Sequence, residues 1–417
     1  HQHKRRQFLP PPHPFEKKFI SLVIFAGLTF LSASHQLVNQ SLAQGKPPYA
    51  GVMWQLFYLF CGVGVAFVLQ LLPSWVYKVL GYAIFAAGFI LITLNAMGIG
   101  VTVDNATRWV MIGPVSVQSA DVVKLGLVIV SCDLLSRITD EKSCKRYFWI
   151  VLLLTAATCV IVMVGNMSTA ILIAVVIFFL LFIAPIPWQW ILKLGLAAIV
   201  ALVAVYCICE FGYVRKGKEI TGLFSRLNKQ VRRIDAKIEQ WKSGDDKTLV
   251  LTQDNFQPTM SRVAIAMGAK SPFGVGTGNS TARNFLPYAY SDYIFAIVVE
   301  ESGIVGAIVL IVIYLLVLFR ACYSSSRFAD YGSQLMVMGL SLMITVQALI
   351  AMLVAVDLGP STGQPLPLVA KGGTSLLITC AYFGIMMSVA REQNEQRAIQ
   401  KKTEEESKNN IPEIKTE

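Results

Sequence analysis

Charge is scarce in this chain of 417 residues. Asp, Glu, Lys and Arg make up 15% of it and hydrophobic residues 55%, against roughly 25% and 45–50% in an ordinary soluble domain. With a mean hydropathy of +0.58, that shortage excludes a disordered chain, a coiled coil and a water-soluble globule. Cysteine occurs at eight positions, yet none lies in the one long hydrophilic stretch, so no disulfide framework is expected. Cys207 and Cys209 suit small core residues better than a metal site. No cleavable signal peptide is expected, because the basic start Lys4-Arg5-Arg6 runs into Pro10-Pro11-Pro12 and Pro14. Gly274, Gly276 and Gly278 follow no strand, which disfavours a nucleotide-binding loop. The net charge of +11 is no nucleic-acid signal in such a chain, where basic residues first report topology and contact with membrane lipid.

What is present is a series of apolar runs near 20 residues long, the length that crosses a bilayer. In lipid every backbone polar group must be paired within the protein, so these runs are expected to be helices. Ten spans are expected, near 19–40, 50–72, 75–98, 119–137, 147–164, 167–185, 188–210, 291–320, 333–356 and 367–390, giving an all-α polytopic membrane protein. The fourth is the poorest in hydropathy, since it carries Asp121, Lys124 and Asp133. Lys and Arg gather before span one, after span four (Arg137, Lys142, Lys145, Arg146), after span eight (Arg320, Arg327) and after span ten (Arg391, Arg397, Lys401, Lys402). These all fall on one side, which puts both termini in the cytoplasm and the loops 41–49, 99–118, 211–290 and 357–366 outside. The expected organisation is a tail at 1–18, a transmembrane domain at 19–390 and a charged, disordered tail at 391–417.

The outer loop 211–290 holds 13 basic and 6 acidic residues, net +7, and its length exempts it from the positive-inside trend. Within it Phe224, Leu227, Val231, Ile234, Ile238 and Trp241 recur at helical spacing. An amphipathic helix at 224–241 is expected there, lying on the outer leaflet, on a partner or on the protein's own top.

Charge inside a bilayer is costly and marks function by default. Four polar places stand at outer helix ends: Arg108-Trp109; Gln118 to Lys124; Tyr290-Ser291-Asp292; and Gln364-Pro365 leading to Lys371-Gly372-Gly373-Thr374-Ser375. Asp121 and Lys124, three apart, can pair on one helix face. The prolines and glycines at 365–373 suggest broken backbone, tolerated only where it is buried or lines a cavity. Asp292 is either a helix cap or a reactive acid. Glu300 and Glu301 lie deeper and need either pairing or a proton-handling role.

In order, these segments resemble the shape, elongation, division and sporulation (SEDS) family, the FtsW/RodA peptidoglycan polymerases. The resemblance runs over roughly 85–391, through Ala106-Thr107-Arg108-Trp109, Gln118-Ser119-Ala120-Asp121 with Lys124, and Gly276-Thr277-Gly278-Asn279-Ser280. It continues through Ser291-Asp292-Tyr293-Ile294-Phe295-Ala296, Glu300-Glu301-Ser302-Gly303, Gln347-Ala348, Pro360 to Leu368 and Gly372-Gly373-Thr374-Ser375. The division-type, FtsW branch is the closer one. The chain departs from the family pattern in having Asp121 for a glutamate, Tyr290 for a histidine, Lys371 before the glycine pair and Asn166 for an acid.

The resemblance implies a glycosyltransferase that polymerises lipid II at the outer face of the bacterial cytoplasmic membrane. Asp292 would be the catalytic base. Arg108, Trp109, Gln118, Asp121, Lys124, Asn279, Ser280, Ser291, Gln364, Pro365, Lys371, Gly372, Gly373, Thr374 and Ser375 would line the substrate site. The implied partners are a class B penicillin-binding transpeptidase and other division membrane proteins. No metal cluster is readable, though the leaving pyrophosphate is compatible with a divalent cation, Mg²⁺ or Mn²⁺. The competing readings are a lipid II flippase, a RodA-like elongation polymerase and a non-catalytic division scaffold.

Overall fold

The computed structural model describes residues 47, 49–98, 101–103, 106–112, 115–200, 203, 256–276, 279–282, 286, 289–358 and 363–409. The expected span at 19–40, the amphipathic helix at 224–241 and the tail at 1–18 therefore lie outside the described residues. In chain order the elements begin with helices α1 (Ala50–Leu71) and α2 (Ser74–Ala96), then strands β1 (Val101–Val103), β2 (Ala106–Ile112) and β3 (Val115–Gln118). Helices α3 (Ser119–Ser136), α4 (Glu141–Gly165), α5 (Met167–Ile183) and α6 (Trp188–Val200) follow. The last four are α7 (Phe256–Gly268), α8 (Ile294–Ser325), α9 (Tyr331–Ala355) and α10 (Gly373–Asn409).

Among the described residues six helices, α1, α2, α4, α8, α9 and α10, are long and apolar enough to cross a membrane. Burial sorts them: 72% of the apolar stretch of α9 and 78% of that of α10 is inside the protein, against 17% for α1 and 22% for α2. Helices α9 and α10 thus form the centre, while α1 and α2 present apolar side chains outward, as lipid requires. Helix α3 is central too, with Asp121, Lys124 and Asp133 all buried. Its poor hydropathy follows from a position surrounded by protein. Helices α2 and α3 touch backbone to backbone: a Cβ on Gly88 would come 2.6 Å from Val123 Cα, and one on Gly126 2.4 Å from the Phe85 nitrogen. Small residues give membrane helices this close approach.

Three expectations change. The connection at 99–118, expected as a loop, contains a three-stranded antiparallel sheet, in which Trp109 is in register with Gln118 and Ile112 with Val115. Its β-branched and aromatic residues favour a pleated surface. The tenth span begins at Gly373 instead of 367, because 363–372 is irregular backbone. The tail beyond 391 is helical to Asn409. Its first turn is docked: Glu392 accepts from the Ser74 N–H at 2.7 Å, Gln393 from the Ala329 N–H at 3.2 Å, and Arg391 donates to the Leu71 carbonyl at 3.3 Å.

Helix α8 is kinked at Gly303 (φ 67°, ψ −166°). The break leaves the carbonyls of Glu300 and Glu301 to accept from the N–H groups of Val275 (2.9 Å) and Gly276 (3.0 Å), and the Val305 N–H donates to Pro272 at 3.2 Å. A side chain at Gly303 would run into the Pro272 carbonyl. The segment after α7 is thereby stitched to the upper part of α8.

At the opposite end, Asp330 caps α9 by accepting from the Gly332 and Ser333 N–H groups, and pairs with Lys78 at 3.4 Å. Burial alone raises its carboxyl pKa, but the Ser333 hydroxyl, the Lys78 ammonium and the two N–H groups outweigh burial and hold it below the usual 3.8. A lowered pKa stabilises the fold above the unfolded value and ceases to do so as pH falls through the folded one. Asp330→Ala should cost about 1 kcal/mol at pH 7, read as a lower melting midpoint in detergent. The gap to wild type should close below about pH 4.

Candidate functional site

Every polar place singled out at an outer end is described at the same end of the bundle, where α2 and α9 finish and α3, α5, α8 and α10 begin. The most buried is built around Lys124, 1% exposed on α3. Its ammonium has three donors and no other way to be solvated. Asp121 Oδ1 lies at 2.7 Å, Gln347 Oε1 at 3.0 Å and Gln364 Oε1 at 3.3 Å. Both amides, their oxygens turned to the lysine, donate onward: Gln347 Nε2 to the Pro365 carbonyl at 3.0 Å and Gln364 Nε2 to Thr169 Oγ1 at 2.5 Å. Thr169 belongs to the first turn of α5, whose N-cap is Asn166, with Asn166 Oδ1 accepting from the Thr169 N–H.

A second group stands where the sheet meets α10. Thr374 Oγ1 donates to the Ser116 carbonyl at 3.2 Å and accepts from the Gln118 N–H at 3.4 Å. Trp109 is half-buried opposite Gln118, and Arg108 precedes it in β2. Gly372, Gly373 and Ser375 surround the start of α10, where helical N–H groups have no intrahelical partner.

The third group carries Asp292. Residues 289–293 form a turn ahead of α8, and Tyr293 takes the N-cap position, so Asp292 stands one residue outside the helix. Ser291 and Asp292 are half-buried. The turn is held by Lys371, whose N–H donates to the Tyr290 carbonyl at 2.8 Å and whose ammonium lies 4.8 Å from the Tyr290 ring centre.

One strap joins the three groups. Residues 363–372 contribute Gln364 and Pro365 to the lysine network and Lys371 to the Asp292 turn, and then run into Thr374. The strap is buried over 366–370, Leu368 takes φ 63°, and Tyr314 donates its hydroxyl to the Pro367 carbonyl. Broken backbone at membrane depth is thus enclosed in protein.

Two expected site residues sit apart. Ser280 is buried, its hydroxyl turned to the Glu300 carboxylate, which also accepts from the Thr281 N–H (3.0 Å), Thr281 Oγ1 (2.9 Å) and the Ala282 N–H (3.3 Å). Exposed Asn279 bonds the Val275 carbonyl at 3.1 Å. Both shape the loop that rests on α8. Sequence reasoning did not select Gln347 or Thr169 as site residues. The available signal was a lone amide or hydroxyl within an apolar run. Among the described residues no group of three or more His, Cys, Asp and Glu side chains is gathered as metal ligands.

Membrane-length helices around a buried, charged and amide-rich end define a multi-pass membrane protein. The chain belongs to the cell cycle protein family of FtsW, RodA and SpoVE, which it matches over residues 16–395. It is 29% identical over 359 residues to the probable peptidoglycan glycosyltransferase FtsW of Hahella chejuensis, covering 84% of this chain and 83% of that one. It is 29% identical over 385 residues to the protein of that name in Saccharophagus degradans, covering 90% and 91%. Among solved structures, its fold is similar to that of a chain in a peptidoglycan synthase complex that coordinates polymerization and crosslinking (TM-score 0.66, 22% identity, 90% and 98% covered). It is also similar to the rod shape determining protein RodA of Thermus thermophilus (TM-score 0.62, 20% identity, 92% and 99% covered).

Removing one partner of a buried ion pair leaves an uncompensated charge and costs about 3–5 kcal/mol. Lys124→Met should therefore sharply lower the melting midpoint in detergent. Adding Asp121→Asn should recover part of the loss, a coupling measurable as a double-mutant cycle.

Proposed function

We propose that this chain is a peptidoglycan glycosyltransferase that polymerises lipid II on the outer face of the cytoplasmic membrane during division. The observation that carries the proposal is the strap at 363–372, which brings the Asp292 turn, Lys371 and the start of α10 to one end of the bundle. The opposite end carries Arg137, Lys142, Lys145, Arg146, Arg320, Arg327 and Arg391, which supports reading the site end as the outer one.

In this reading Asp292 takes the proton from the acceptor sugar hydroxyl as its oxygen attacks the anomeric carbon of the donor. The new glycosidic bond forms as the bond to the pyrophosphate breaks, and undecaprenyl pyrophosphate leaves with its negative charge. Lys371, held on the Tyr290 ring beside the turn, is suited to meet that charge, and Arg108, in strand β2, is the second cation proposed for it. The curated relatives' glycosyltransferase name supports the activity. The synthase complex supports a crosslinking partner, a class B penicillin-binding transpeptidase. Two of the acids that a flippase would need along a path, Asp133 and Glu300, are in structural use. Asp133 accepts from Tyr82 and Arg137, each at 2.7 Å, and Glu300 holds the 280–282 loop.

The test is polymerisation of lipid II by the purified protein, with its partner carrying an inactivated transpeptidase site. Asp292→Ala and Asp292→Asn should each lower the rate by roughly 10²–10⁴-fold while keeping the wild-type melting midpoint. Wild-type rates in both folded variants would make Asp292 a structural acid, and transport of lipid II without polymer would favour the flippase.

A further inference from the structure

The far end of α8, away from the site, carries an arrangement that neither catalysis nor packing uses. Arg327 lies with its guanidinium carbon 4.0 Å from the Tyr323 ring centre, and Arg320 approaches the same ring at 5.5 Å. Phe319 is stacked on Tyr323 at 6.4 Å with the planes 16° apart. Among the described residues neither guanidinium pairs with a carboxylate, and Arg320 Nε is buried without a hydrogen-bond acceptor. Guanidinium groups donate in a planar fork suited to phosphate, and two of them lie against one ring with Arg320 Nε unmet.

Below this clamp α8 presents an apolar ridge. Val312, Leu315, Leu316 and Phe319 are exposed one turn after another, Phe319 at 66%. From Val312 to Tyr323 the ridge runs about 16 Å at 1.5 Å per residue, close to half of a bilayer core of roughly 30 Å. Charge at one end and one leaflet's depth of apolar surface beneath it match the two parts of a phospholipid. We propose that the end of α8 is a binding site for an anionic phospholipid of the inner leaflet, with its phosphate between Arg320 and Arg327 and an acyl chain along Phe319, Leu316 and Val312. The leaflet rests on the orientation proposed above, whereas binding itself does not.

The experiment is native mass spectrometry of the detergent-purified full chain, titrated with phosphatidylglycerol or with phosphatidylcholine. The double variant Arg320→Gln/Arg327→Gln should weaken the tightest phosphatidylglycerol adduct by about thirtyfold and leave phosphatidylcholine adducts unchanged. The charge-matched control Lys142→Gln/Lys145→Gln should keep wild-type binding. Equal loss in the control would reduce the effect to net charge and overturn the site. So would unchanged binding in the double variant, or full displacement of the lipid by inorganic phosphate at the same concentration. Loss of the adduct only when the transpeptidase is added would mean that a protein helix covers this face, and would also overturn the proposal. Catalytic failure of Asp292 variants is read separately and leaves this binding measurement untouched.

Discussion

A lysine ammonium cannot stay in the middle of a membrane protein unless each of its donors is met. Lys124 meets this condition with one carboxylate and two amide oxygens drawn from α3, α9 and the strap before α10. The second half of each amide then bonds further protein, Pro365 in the strap and Thr169 in α5. One buried charge thus ties together elements more than two hundred residues apart in sequence. Breaking any of these bonds leaves a desolvated polar group, so the network specifies a single arrangement of the strap.

The arrangement of the strap decides what stands at the site end of the bundle. Lys371 follows from it and holds the Tyr290–Asp292 turn, and Thr374 follows from it and holds the sheet. A second structure acts from the other side. The kink at Gly303 offers two carbonyls to the 272–276 segment, and the Glu300 carboxylate fixes 280–282, so these segments rest on the helix that starts after Asp292. An acid outside its helix, a lysine over an aromatic ring and helix N-termini on one side suit a reaction that deprotonates a hydroxyl and releases a pyrophosphate. That is the chemistry proposed for this member of the FtsW, RodA and SpoVE family.

Much of this was legible in sequence because lipid allows few solutions. Apolar runs marked α1, α2, α8 and α9 nearly to their ends, and the spacing of Asp121 and Lys124 predicted their pair, found at 2.7 Å. Prolines and glycines at 365–373 marked the break in backbone. The sheet at 101–118 was missed because topology rules treat what lies between spans as loop, although Val, Thr, Trp and Ile there favour strands. Charge beyond Arg391 suggests disorder in the sequence, whereas in the fold Glu392 accepts from the Ser74 N–H at the start of α2 and Gln393 from the Ala329 N–H just before α9, which holds the helix in place. Gln347 and Thr169 could not be weighed from one sequence, since an amide within a span gains its meaning only from the lysine it faces.

The most direct test of the coupling between the buried network and the outer end is hydrogen exchange of the wild type against Gln347→Leu, a change of similar volume that removes one acceptor from Lys124 and one donor to Pro365. Backbone exchange should speed up across 363–372 and also in the 289–293 turn and at 115–118, none of which touches residue 347 apart from the strap. Faster exchange confined to the neighbourhood of 347, with the turn and the sheet protected as in wild type, would contradict the view that the network holds the site.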